Sequence, residues 1–203
     1  METGKPSWWK DAVEVLSKDE ILGAVVRSYP NESLVGRGDV FSTLIRSIVG
    51  QQISVHAADA VWGRFVKYVG EISPDAIRVH APEDLATCGL SRPKSRYIHG
   101  LALESKALLV DNWDEYDDEK LIKHFTQFRG IGPWTAEMLL IFTFMRPDVF
   151  SIGDVSLIRA VQKLVPEADT NEKVLKVSER WAPYRTAACW FLWRMLDPVP
   201  VEY

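Results

Sequence analysis

Apolar residues recur at helical spacing along almost the whole chain, and no stretch alternates as a half-buried strand would. In Val40–Val49, Phe41, Leu44, Ile45 and Ile48 fall at i, i+3, i+4 and i+7, the stripe of a buried helix. Asp11–Arg27 carries a similar stripe through Val13, Leu16, Leu22, Val25 and Val26. Start and stop signals divide the rest of the chain. Ser54 can cap a helix over Val55–Val69 that Gly70 closes, and Ser73-Pro74 and Pro82 open short helices. Pro93–Val110 is long and amphipathic, Asp117 can cap Asp118–Phe128, and Pro133 opens Trp134–Met145. Asp154–Val165, Asn171–Ala182 and Pro183–Leu196 complete a set of about nine or ten helices. The pattern predicts an all-α fold.

Composition narrows the function classes. With 203 residues, 47% hydrophobic and 26% charged, the chain has ordinary globular usage and can bury a core without metal or disulfide. Two cysteines, Cys88 and Cys189, exclude a disulfide framework, a four-cysteine zinc site and an iron–sulfur cluster. The four histidines lack metal-ligand spacing, no apolar run is long enough to span a membrane, and no signal peptide precedes Lys10. The expectation is a soluble intracellular monomer, in cytoplasm and nucleoid or in a nucleus, with no obligate protein partner.

The net charge of −4 gives no bulk sign of a polyanion partner, but charge is unevenly spread. Residues 111–119 hold six acids and no base. The windows 85–103, 120–136 and 180–196 hold no acid and carry Arg92, Lys94, Arg96; Lys120, Lys123, Arg129; and Arg180, Arg185, Arg194. Two readings stand side by side: one basic face, or three buried helices with basic rims.

The sharpest motif is F-R-G-I-G-P-W-T-A-E (128–137), set between two amphipathic helices. Gly130 and Gly132 permit positive φ on both sides of Ile131, which can plug the gap between the helices. The Gly130, Ile131 and Gly132 N–H groups, with the free amides of the helix opened by Pro133, can then point outward as an anion-binding nest. A tight helix–helix turn with no ligand satisfies the same residues. Asp154, after Gly153 at a helix start, reads by itself as a cap.

Five segments in collinear order resemble the helix-hairpin-helix DNA glycosylase superfamily, in its alkylation-repair branch, the DNA-3-methyladenine glycosylase II type. They are I-V-G-Q-Q-I-S (48–54), G-L-S-R-P-K-S-R-Y-I (89–98), F-R-G-I-G-P-W-T-A-E, D-V-F-S-I-G-D-V-S-L-I-R with Asp154, and R-W-A-P-Y-R-T-A-A-C-W-F-L-W (180–193). The resemblance covers roughly 40–196.

The resemblance implies two helical subdomains flanking a DNA-binding cleft. One spans 41–147 and includes the helix-hairpin-helix at about 118–145; the other joins 1–40 to 148–203. It implies monofunctional hydrolysis of the N-glycosidic bond of flipped alkylated purines (N3-methyladenine, N7-methylguanine) in damaged double-stranded DNA, within base excision repair. Asp154 would be the catalytic carboxylate, and Trp134, Trp193 and Met138 would form the base pocket. Gln51 and Gln52 would form the DNA wedge, Gln52 standing where bacterial members carry leucine. Arg129, Gly130, Ile131, Gly132 and Thr135 would form the phosphate-binding hairpin, and Ser91, Arg92 and Lys94 further backbone contacts. Trp134 occupies the position where the strand-cutting branch has a Schiff-base lysine, so no lyase step is implied. No cofactor or catalytic metal is implied, although a monovalent cation could bridge the hairpin carbonyls of Gly130–Gly132 to a phosphate. The rivals are a glycosylase for uracil, mismatched thymine or hypoxanthine, and a helix-hairpin-helix DNA-binding module without catalysis.

Overall fold

A computed structural model describes residues 3–197; residues 1–2 and 198–203, which the expected second subdomain includes, lie outside the described residues. The chain opens with α1 (Trp9–Leu16) and α2 (Gly23–Ser28). It continues through α3 (Val40–Gly50), α4 (Val55–Val69), α5 (Pro74–Arg78), α6 (Pro82–Ala86), α7 (Arg92–Leu103) and α8 (Ser105–Leu108). After a 3-10 turn at Trp113–Glu115 come α9 (Asp118–Phe125) and α10 (Pro133–Phe142). The chain then forms α11 (Val155–Leu164), α12 (Asn171–Ser178), a 3-10 turn at Glu179–Trp181, and α13 (Arg185–Leu196). Among the described residues there is no strand, only one isolated β-bridge between Gly4 and Gly36. No helix among them is long and apolar enough to cross a membrane.

The chain divides into two compact units. One is Asp39–Leu139; the other joins the residues up to Gly38 to those from Leu140 onward, so the division falls within α10. In the first unit α7 is the hub, packing on α3, α5, α6 and α8. Its core takes the stripe read from α3: Phe41, Leu44, Ile45 and Ile48 are all buried. In the second unit α13 is the hub, packing on α1, α2 and α11, and nine of its residues are buried. Trp181 and Trp190, readable as core, are buried here.

The caps sit where their chemistry suggests. Ser54, Ser73, Asp117 and Asp154 accept from the N–H three residues on, and Gly70 adopts φ +82°. Thirteen helices stand among the described residues against the nine or ten expected, and two of the extra ones arise where continuous stripes are interrupted. The Asp11–Arg27 stripe breaks at Ser17–Leu22, where the Asp19 carboxylate accepts from Ile21 and Leu22 N–H and from Arg180 and Trp181. Pro93–Val110 breaks at Glu104 (φ −89°, ψ 10°). The Trp134–Met145 helix stops at Phe142: Met145 turns into the left-handed region (φ +49°) and Arg146 N–H donates back to Leu140 O at 2.9 Å. A methionine seldom adopts that conformation, so composition gives no sign of it.

Candidate functional site

In the Asp39–Leu139 unit the segment 126–132 joins α9 to α10 as a helical hairpin. Ile131 is buried and plugs it, as its apolar side chain requires. The two glycines differ. Gly130 has φ +95°, and a Cβ there would meet the Tyr97 ring at 2.5 Å, so both backbone and packing demand glycine. Gly132 is not in the positive-φ region and a Cβ on it would meet nothing within 4 Å, which corrects the expectation of positive φ at both. Protein packing therefore gives no reason for glycine at 132.

The expected nest of three outward amides is also corrected. Ile131 N–H turns inward to Phe128 O at 3.1 Å, while neither Gly130 N–H nor Gly132 N–H has an intrachain acceptor among the described residues. Arg129 is exposed, its guanidinium 5.8 Å from the Tyr97 ring centroid. Thr135 is buried, and its hydroxyl accepts from Gln51 Nε2 at 3.0 Å rather than facing outward. Gly130 O accepts from the same amide at 3.1 Å, and Gly132 O from Ala136 N–H at 3.1 Å. Each carbonyl keeps a lone pair, so this donor set fits a weakly held monovalent cation, whose chemistry would be to add positive charge toward a phosphate.

The two glutamines expected to share a wedge role separate. Gln51 is half-buried and ties the α3–α4 turn to the hairpin. Gln52 is exposed at the turn with φ +58°, a backbone state few non-glycine residues adopt, and Ile53 beside it is 42% exposed. Lys94, expected on the DNA backbone, is half-buried and donates to Val49 O (2.8 Å) and Gln51 O (2.6 Å). It closes the C-terminal end of α3, and burial holds its ammonium below the usual lysine range. Ser91 is exposed and caps α7 by accepting from Lys94 N–H; Arg92 is exposed. Trp134 is half-buried in the first turn of α10, whereas Met138 one turn on is fully buried and offers no open surface to a base.

In the other unit Asp154 sits at the N-cap of α11, 5% exposed. Its Oδ1 accepts from Leu157 N–H at 2.9 Å and from Trp193 Nε1 at 3.4 Å. Trp193 is buried, stacked on Phe142 with centroids 5.9 Å apart, so here it orients the carboxylate instead of lining an open pocket. Arg185, Thr186, Cys189 and Trp193 share one side of α13 and hold the segment leading to Asp154. Arg185 grips Asp148 bidentately (2.7 and 2.9 Å); Thr186 Oγ1 donates to Arg146 O and accepts from Val149 N–H; Cys189 Sγ reaches Val149 O. Burial would push the Asp148 carboxyl up, but Arg185 outweighs it and holds the group below the usual range. Sequence reading missed this clamp. Its only trace was the i, i+4, i+8 spacing of Arg185, Cys189 and Trp193, in a window equally readable as a basic rim.

Against known proteins, residues 45–183 match the model of the HhH-GPD superfamily of base excision DNA repair proteins, more than half of the chain. The chain belongs to that superfamily. Within it, the chain is 36% identical over 173 residues to DNA-3-methyladenine glycosylase 1 of Schizosaccharomyces pombe, covering 81% of this chain and 75% of that one. It is 29% identical over 199 residues to the Bacillus subtilis DNA-3-methyladenine glycosylase, of which it spans 66%. A solved superfamily structure, S. pombe 3-methyladenine DNA glycosylase Mag1 in complex with abasic DNA, superposes with TM-score 0.82 at 32% identity, covering 95% of this chain and all of that one. All five segments behind the resemblance overlap the matched range. Among the described residues no cluster of three or more His, Cys, Asp or Glu is set to hold a metal ion.

Proposed function

We propose that this superfamily member is a monofunctional DNA glycosylase that removes alkylated purines, N3-methyladenine and N7-methylguanine, from double-stranded DNA in base excision repair. The observation that carries this reading is Asp154: a buried carboxylate at a helix N-cap, oriented by a backbone N–H and an indole N–H, inside the matched segment.

The reaction follows from that geometry. The bond between deoxyribose C1′ and the purine nitrogen breaks, and its electron pair leaves with the base, neutralising the positive charge that alkylation placed there. The sugar is left as an oxocarbenium-like centre, which a fixed carboxylate stabilises without reorganising. Water adds to C1′, and Asp154 orients it and accepts its proton. Trp134, half-buried, offers an electron-rich face to a cationic base, and with no lysine at its position the strand is left intact. No cofactor takes part.

DNA is held from the other unit. The free Gly130 and Gly132 N–H groups and the open space at Gly132 suit a backbone phosphate, and exposed Gln52 suits the gap left by an extruded nucleotide. Gln51 and Lys94 position that turn against the hairpin.

The test is release of methylpurines from methylated duplex DNA, with strand breaks scored before and after hot alkali. Free methylpurine with breaks only after alkali is expected. Breaks without alkali would contradict the monofunctional reading, and DNA binding with no base released would leave a binding module.

A further inference from the structure

Two surface grooves adjoin on α7. One, of about 340 Å³, is lined by Arg96, Tyr97, Gly100, Glu104 and Arg129 among others. The second, of about 300 Å³, is lined by Arg92, Ser95, Arg96 and Glu83 among others. Arg96 borders both. Arg92 and Arg96 lie one helical turn apart, so their side chains emerge on the same face. The first groove is continuous with the hairpin, because the Tyr97 ring packs under Gly130 and carries the Arg129 guanidinium above it.

Arg92, Arg96 and Arg129 have no acid partner among the described residues. Each groove holds two arginines against one glutamate. The neighbouring Lys94 is withdrawn onto the α3 carbonyls, so these arginines carry the outward charge of this face. Exposed, unpaired guanidinium groups in a row form a receptor for successive anions.

We propose that Arg129, Arg96 and Arg92 form a track for the phosphodiester backbone, extending the DNA contact from the hairpin along α7. The proposal rests on the reading of the protein as a DNA-binding glycosylase. The track engages phosphates irrespective of sequence and lesion, and so supports search on undamaged DNA.

The test measures binding of an undamaged duplex over a range of KCl concentrations, with methylpurine release assayed on the same preparations. Arg96→Gln is expected to lower the slope of log K against log salt by about one, and the Arg92→Gln/Arg96→Gln double variant by about two. Arg96→Lys should restore most of the slope, because a phosphate contact needs the charge. Lys176→Gln, exposed on α12 of the other unit, should leave the slope unchanged. An unchanged slope in Arg96→Gln, or an equal drop in Lys176→Gln, overturns the track. Methylpurine release with an unchanged slope would sink the track alone. A reduced slope with no methylpurine release by the wild type would sink the glycosylase reading and leave the track standing.

Discussion

In the unit that ends in α13, Arg180 meets Asp19, Arg185 grips Asp148 and Arg194 grips Glu32, each guanidinium nitrogen within 2.9 Å of a carboxylate oxygen. In the Asp39–Leu139 unit, Arg92, Arg96 and Arg129 face solvent with no acid partner among the described residues. Both sets come from acid-free windows of the sequence, yet they do opposite work. Paired arginines fix backbone: Arg185 holds the segment of chain that delivers Asp154. The unpaired ones leave their donors to solvent. The unit that carries Asp154 thus spends its arginines on fixing backbone, whereas the hairpin unit leaves these three guanidinium groups open.

Alanine at the two hairpin glycines would sharpen that contrast most. Gly130→Ala is expected to destabilise the protein by about 3 kcal/mol, from left-handed strain plus the collision with Tyr97, read by urea denaturation. Gly132→Ala should leave stability within about 0.5 kcal/mol yet weaken duplex binding about tenfold, by filling the space a phosphate would use. Equal destabilisation by both would mean that Gly132 also serves packing.

The Asp148–Arg185 pair tests the rigid side. Asp148→Asn is expected to lower stability by about 2 kcal/mol at neutral pH. The folded carboxyl titrates below its ordinary value of 3.8, so its contribution is present in full above that pH and is lost as pH falls through the folded value. The gap between wild type and variant should therefore close on acidification. A gap that widened in acid would contradict the pairing. Trp193→Phe should keep the ring on Phe142 but remove the indole N–H from Asp154, slowing single-turnover base release about tenfold while binding of undamaged DNA is unchanged.

Local chemistry that a few adjacent residues settle is legible in the sequence: the α3 stripe, the Ser54, Ser73 and Asp117 caps and the Asp154 N-cap all belong to it. The illegible parts depend on partners far away in the chain. Lys94 reads as a free cation until the carbonyls of Val49 and Gln51 are seen around it, and Gln51 reads as a wedge until its amide is found on Gly130 and Thr135. Charge windows count bases but not the acids, 37 and 162 residues distant, that meet Arg185 and Arg194. Met145, three residues past the end of α10, takes a conformation its type seldom adopts.

With chemistry placed on Asp154 and DNA holding in the other unit, Asp154→Asn separates the two. Asparagine still accepts the Leu157 N–H, so the helix cap survives while the negative charge is lost. Methylpurine release from methylated duplex is expected to fall at least about 100-fold while affinity for undamaged duplex stays within about twofold. Release at the wild-type rate in the variant would contradict that placement and move the chemistry to another group.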